Sequence, residues 1–184
     1  MIHGLISQLP LPYYKAVQKI WLELGRYFGI KPVWENPIPH FSWQIAENHY
    51  INAIVPLLDS FSKEHEPFYI ETQGLSLFDG EEKVMFIKIV PEKQVVEMHE
   101  KLWKILFPHS QTVNMLYSPK TWTPHITLAR ITQTKLRQME QEELPLIDDP
   151  VDQSLAVTSI ELMESELRRG GPKYTILESF NLGK

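Results

Sequence analysis

One tetrapeptide type, proline, histidine, an apolar residue and a hydroxyl, occurs twice in this chain, as Pro39-His40-Phe41-Ser42 and Pro124-His125-Ile126-Thr127. Each copy opens a run that reads as a β-strand and is followed by a helical segment, and the two lie 85 positions apart in 184 residues. A fold that accepts this pattern must start two strands in equivalent settings, which points to an internal duplication with a pseudo-twofold arrangement. Composition alone yields about one His-x-Ser/Thr in such a chain, and a proline ahead of both copies takes coincidence below roughly one in a hundred.

Side chains at i and i+2 of a strand share a face, so His40 with Ser42, and His125 with Thr127, each form an imidazole-hydroxyl pair aimed one way. If the two strands face one cleft, a phosphodiester between them meets two hydroxyl donors for its non-bridging oxygens and an imidazole near each apical oxygen. One histidine then takes a proton from the attacking group while the other gives one to the leaving oxygen. Histidine suits both tasks because its unperturbed pKa lies near neutrality. No His-x-His or HExxH occurs, and neither motif histidine has a third ligand at metal spacing, so no metal and no other cofactor is expected.

Between and around the motifs the periodicities alternate. A strand over about 2–8 ends at Pro10, and Val17, Ile20, Trp21, Leu24 and Phe28 then recur at helical spacing up to Gly29. After the turn-rich Glu35-Asn36-Pro37-Ile38-Pro39, the first motif strand is expected to run to about Ile45 and a helix to cover roughly Asn48 to Lys63. Pro67 opens a strand through Phe78, Asp79-Gly80 turns it, and residues 84–90 return. A helix with Val95, Met98, Leu102, Ile105 and Leu106 on one face precedes an irregular stretch from Phe107 to Thr121. The second motif strand ends near Ile131. A polar helix from about Lys135 to Glu143, a loop over 144–150 and two strands near 154–167 and 173–182, joined by Arg169-Gly170-Gly171-Pro172, complete the chain. The class is α+β, read as one domain of two lobes over residues 1–184.

A formal charge of −5 excludes a broadly basic nucleic-acid-coating surface, so any recognition of phosphate must be local. The absence of cysteine removes disulfides, thiol nucleophiles and the commoner structural zinc sites. There is no Walker or GxGxxG loop, no apolar run of membrane-spanning length and no signal-peptide pattern at Met1-Ile2-His3-Gly4, so a cytoplasmic location with no membrane partner is the expectation.

The paired motifs, the second in the form Thr123-Pro124-His125-Ile126-Thr127-Leu128-Ala129-Arg130, resemble the two-histidine phosphoesterase superfamily and within it the 2′-5′ RNA ligase and RNA 2′,3′-cyclic phosphodiesterase branch. The likeness extends to Leu9-Pro10, to Ser159-Ile160-Glu161-Leu162-Met163-Glu164-Ser165, to Gly171-Pro172-Lys173-Tyr174 and to Phe180-Asn181-Leu182, nearly the whole chain. It implies a bilobal α+β fold, two antiparallel-sheet lobes around a central cleft with helices on the outer faces. It also implies metal-independent cleavage or formation of 2′,3′-cyclic or 2′-5′ phosphodiester bonds on a nucleotide or RNA end. Carried over residue by residue, His40 and His125 are the acid/base pair; the resemblance does not divide the roles between them, and His125 is read as activating the attacking group and His40 as protonating the leaving oxygen. Ser42 and Thr127 become phosphate ligands and Arg130 a further phosphate contact. The first copy departs from the family in having Ser42 for the usual threonine and Trp43-Gln44 after it.

Beyond the motifs, Lys120 is a second candidate cation for the phosphate, and Tyr117, Trp43 and Trp122 flank the motifs where a base could stack, with packing in the core around the motif strands as the alternative for Trp43 and Trp122. Of the other histidines, His3 is the one placed to face the cleft. A monomer is expected. The competing readings are a non-catalytic module that binds a nucleotide or RNA end with the same fold, and an interaction domain whose two histidines would lie on opposite faces.

Overall fold

Why α1 forms where it does is plain from its sequence: over Leu11–Phe28, Val17, Ile20, Trp21, Leu24 and Phe28 fall on one face and are all buried, and Gly29, at φ 62°, closes the helix in the left-handed conformation. The computed structural model describes residues 2–30, 38–80, 83–141, 153–168 and 171–184. The remaining elements are β1 (Ile2–Gln8), β2 (His40–His49), α2 (Ile51–Lys63), β3 (Phe68–Phe78), β4 (Lys83–Ile89), α3 (Lys93–Leu106), β5 (Ser110–Val113), β6 (His125–Ile131), α4 (Gln133–Gln141), β7 (Ser154–Val157), β8 (Ser159–Arg168) and β9 (Gly171–Asn181). No described helix is long and apolar enough to cross a membrane.

All strand pairs are antiparallel, in the spatial order β7-β3-β4-β6-β2-β1-β8-β9, with β5 added to β2. The order is a palindrome of two units, β1-α1-β2-α2-β3 and β4-α3-β6-α4-β8. In each, the third strand leaves its own unit and pairs with the first strand of the other: β3 with β4, and β8 with β1. The helices cross over likewise, α1 packing behind β6 and α3 behind β2. The two motif strands meet at the centre of this arrangement through a single pair of Cα partners, Phe41 and Ile126.

Both motif strands carry a β-bulge at the same place. Across β1, Leu5 faces Gln44 and Ile6 faces Ser42, so Trp43 is the extra residue; across β4, Phe86 faces Thr127 and Met85 faces Ala129, so Leu128 is. A ring from the helix behind each bulge meets its backbone. Trp21 Nε1 donates to the Leu128 carbonyl at 2.8 Å, and His99, whose one N–H as a neutral ring goes to the Tyr117 carbonyl, lies with its other ring nitrogen beside the Trp43 backbone. The repeat glimpsed in two tetrapeptides thus extends to strands, helices and bulges.

Several boundaries differ from expectation. β2 runs to His49 and α2 starts only at Ile51, because β5 pairs with Ala46, Asn48 and His49 and keeps that segment extended. β5 itself, with short 3-10 turns at Phe107–His109 and Met115–Tyr117, replaces part of the expected irregular stretch. The strand expected over 154–167 is two, since the chain passes at Thr158 from β3's side of the sheet to β1's. The turn residues 35–37, the end of the polar helix at 142–143, the loop at 144–150 and the turn residues 169–170 lie outside the described residues.

Candidate active site

Because Phe41 and Ile126 are cross-strand partners, His40 stands opposite Thr127 and Ser42 opposite His125, all four on one face of the sheet. Phe41 and Ile126, 2% and 0% exposed, point to the other face and anchor the pair in the core. The local dyad therefore runs between these two apolar residues, and each hydroxyl lies beside the other motif's imidazole.

Each histidine is oriented by its own preceding backbone. His40 Nδ1 donates to the Ile38 carbonyl and His125 Nδ1 donates to the Thr123 carbonyl, the latter at 2.7 Å. A carbonyl can only accept, so the neutral rings carry their proton on Nδ1 and keep the Nε2 lone pair for the cleft. Burial pushes the His40 pKa down to about 4, with the bond to Ile38 opposing and the neighbouring His125 adding to the fall. Burial lowers His125 as well, against the bond to Thr123. An edge of Tyr174 packs on His40 at 5.6 Å, while Phe78 and Phe86 present their rings to His125 at 4.8 and 5.4 Å.

Two adjoining hollows make up the cleft. One, of about 160 Å³, is lined by His40, Ser42, Ile45, Thr127, Arg130 and Tyr174 among others; the second, of about 400 Å³, holds His125, Thr127, Arg130, Phe78 and Leu116. Tyr117, Thr127 and Arg130 belong to both. Arg130 reaches the cleft because of the bulge. Plain alternation from His125 and Thr127 would put residue 129 in the cleft and residue 130 in the core; the extra Leu128 reverses this, so Ala129 is buried and Arg130 exposed. Arg130 forms no ion pair with a carboxylate among the described residues, and its charge lowers the pKa of both Tyr117 and Tyr174. Asp79, on the rim, is occupied by Lys83 at 2.6 Å.

The other expected residues separate into those the fold brings here and those it does not. Tyr117 lines both hollows, and its hydroxyl is hydrogen-bonded with Ser42; burial raises its pKa to about 12, so it stays a phenol and a donor. Its loop is fastened by His99, whose Nε2 donates to the Tyr117 carbonyl at 3.0 Å, and by the Asn114 side chain, which accepts from the Leu116 amide. Trp43 is a correction: the alternation that puts His40 and Ser42 in the cleft puts Phe41 and Trp43 in the core, where the indole is 0% exposed, stacked near Trp122 and donating to Ser7 Oγ. It cannot stack on a base. Lys120 is exposed on its loop and lines neither hollow. His3 is also corrected, since it is buried against His49 at 5.9 Å and beside Glu164. Tyr174, Phe78 and Leu116 join the site unforeseen; only the Gly-Pro-Lys-Tyr string gave a sequence sign, and for Tyr174 alone.

The side chains combine two proton-transfer groups, two or three hydroxyl donors and one cation around a space that fits a phosphate. Imidazoles on opposite faces, the mark of the interaction-domain reading, are not observed. Among the described residues no three His, Cys, Asp or Glu side chains converge where they could hold a metal ion.

Comparison with known proteins gives the same direction. The sequence pattern of the 2′-5′ RNA ligase superfamily matches residues 18–169. A protein of Oceanobacillus iheyensis that carries the name of a phosphoesterase is 29% identical over 85 residues, 46% of each chain, so the match spans under half of that relative. Among solved structures, TT0787 of Thermus thermophilus superposes with a TM-score of 0.73 at 23% identity, over 100% of this chain and 98% of that one. LigT of E. coli, solved with 3′-AMP, gives 0.65 at 17% identity, over 99% of this chain and 97% of that one.

Proposed function

Because the chain belongs to the 2′-5′ RNA ligase superfamily, we propose that its cleft opens the 2′,3′-cyclic phosphate of a nucleotide or RNA end, or acts on a 2′-5′ phosphodiester, by two-histidine acid/base catalysis without a metal ion. The observation that supports this most is the pair of Nδ1 bonds to backbone carbonyls, which leaves each Nε2 lone pair free, with His40 lining one and His125 the other of two hollows that share Tyr117, Thr127 and Arg130.

In the hydrolytic direction the non-bridging oxygens take hydrogen bonds from Ser42, Thr127 and the Tyr117 phenol, and Arg130 balances their charge. His125, in the wider hollow where water arrives, accepts the proton of the attacking water at Nε2. His40, in the narrow hollow beside Tyr174, donates a proton from Nε2 to the departing ribose oxygen. Burial makes the His40 imidazolium a strong acid, and the bound phosphate supplies the negative charge that lets it be protonated. The base of the nucleotide lies against Phe78 and Leu116. Both lobes act as one domain over residues 1–184.

The test is a panel of 2′,3′-cyclic, 3′,5′-cyclic and 2′-5′-linked substrates with identification of the 2′- or 3′-phosphate product. His40→Ala and His125→Ala should each lower turnover by about 10²–10⁴-fold while thermal unfolding stays cooperative. Near-normal turnover in both variants refutes the acid/base roles; a wild-type protein that binds nucleoside monophosphates but turns over no substrate in the panel is a binding module instead.

A further inference from the structure

A third hollow, of about 430 Å³, adjoins the cleft across Phe78, Trp122 and Thr123, which line both it and the larger catalytic hollow. Its other polar lining is Lys88, Gln73 and Ser76. Lys88 is the direct cross-strand partner of His125, so its side chain rises from the same face of the sheet, one strand away from the catalytic imidazole. It is exposed and forms no ion pair among the described residues. The β3 bulge between Thr72 and Leu75, where Gly74 takes a φ of 61°, sets Gln73 at the same hollow.

We propose that this hollow holds the neighbouring nucleotide of an RNA strand, with Lys88 on the phosphate that joins it to the terminal nucleotide, so that the substrate is an oligonucleotide end and not a free cyclic mononucleotide. The inference rests on the phosphoesterase reading of the cleft and specifies its substrate class. A cation is needed there, because a chain with a formal charge of −5 must attract a second phosphate locally, and Arg130 is already placed at the first. Phe78, which lines both hollows, stacks one ring face on Phe86 at 3.9 Å, so it stands as a wall between the hollows and has a single ring face to offer a base. Gln73, Ser76 and Thr123 give hydrogen-bonding groups without the charge that would demand a particular base.

The experiment compares a 2′,3′-cyclic mononucleotide with a short oligonucleotide ending in the same cyclic phosphate, for the wild type and Lys88→Ala. Wild-type kcat/KM should favour the oligonucleotide. Lys88→Ala should lose about tenfold on it and leave the mononucleotide unchanged. The salt dependence of oligonucleotide affinity should also become shallower by about 0.7 in the log-log slope, as expected for one lost contact to a single strand. No preference in the wild type, or an equal loss on both substrates, overturns the inference. If neither substrate is turned over, the catalytic reading fails, and the subsite is decided by affinity alone. A 3′-phosphorylated oligonucleotide bound more tightly than a 3′-mononucleotide, with the advantage lost in Lys88→Ala, supports it; equal affinities overturn it.

Discussion

Replacing Trp21 with phenylalanine should damage catalysis from behind the sheet. Trp21 is 4% exposed, and its Nε1 donates at 2.8 Å to the carbonyl of Leu128, the extra residue whose presence turns Arg130 into the cleft. Phenylalanine keeps the ring contacts and removes the donor. Loss of the bond costs about 1 kcal/mol, the buried carbonyl left without a partner adds about 1 kcal/mol, and the smaller ring loses about 1 kcal/mol of burial. A total near 3 kcal/mol corresponds to a Tm lowered by about 10 °C in a chain of this size. At 25 °C the variant is still folded, so its kinetics report geometry. An arginine displaced by a fraction of an ångström from a phosphate should cost about tenfold in kcat/KM. A double-mutant cycle with Arg130→Ala separates this from general damage: once Arg130 is absent, Trp21→Phe should have little left to remove, and the two losses should fall well short of additive. Full additivity, or a Trp21→Phe variant that loses stability with kcat/KM intact, refutes the link between indole, bulge and arginine.

The pH dependence follows from the two cleft histidines. Hydrolysis by free enzyme needs His125 neutral and His40 protonated; burial lowers His40 to about 4 and also lowers His125, so kcat/KM should peak on the acid side of 6.5 and decline toward neutrality. Bound phosphate raises both histidines, so kcat should peak at higher pH than kcat/KM; a kcat/KM optimum above pH 7 contradicts the assignment. For stability, His49 and His99 are each 1% exposed and held neutral by burial, with pKa values of about 4. Unfolded histidines take up protons near 6.5, so stability is full above that pH and falls as the pH drops toward 4, by on the order of 3 kcal/mol for each. Urea midpoints at pH 7 and pH 4.5 measure this, and equal midpoints would show that the two rings become charged within the fold.

What could be read from the residues, and what could not, divides along local against long-range causes. Strand alternation alone paired His40 with Ser42 and His125 with Thr127, and helical spacing gave α1 and α3, because these patterns are written within a few residues. The same alternation assigns Trp43 to the core beside Phe41, which decides between the stacking and packing roles that its place next to a motif left open. Arg130 needed more, since nothing in Thr127-Leu128-Ala129-Arg130 marks Leu128 as extra; the bulge comes from the register against β4 and from an indole more than a hundred residues earlier. β5 was invisible because Ser110-Gln111-Thr112-Val113 has no apolar alternation and is a strand only by virtue of the β2 edge it covers. Tyr174 and Phe78 entered the site through β9 and β3, strands whose neighbours depend on the crossing at Thr158 and on the hairpin to β4.

The exchanged third strands bear on what half of this molecule is. A lone β-α-β-α-β unit would leave the outer edge of its first strand open and its own third strand without that partner, and an exposed edge of this kind seeks another strand. The smallest closed object such a unit can build is a symmetric dimer, in which two identical copies each lend a strand and each supply one histidine to a cleft at their interface. The present chain has the topology of that dimer with its two protomers joined between β3 and β4. A single chain need not repeat itself as a symmetric dimer must, and the two halves differ at equivalent positions: Ser42 against Thr127, Trp43 against Leu128, and Ile45 against Arg130, where one half sets an apolar wall and the other a positive charge at the same hollow.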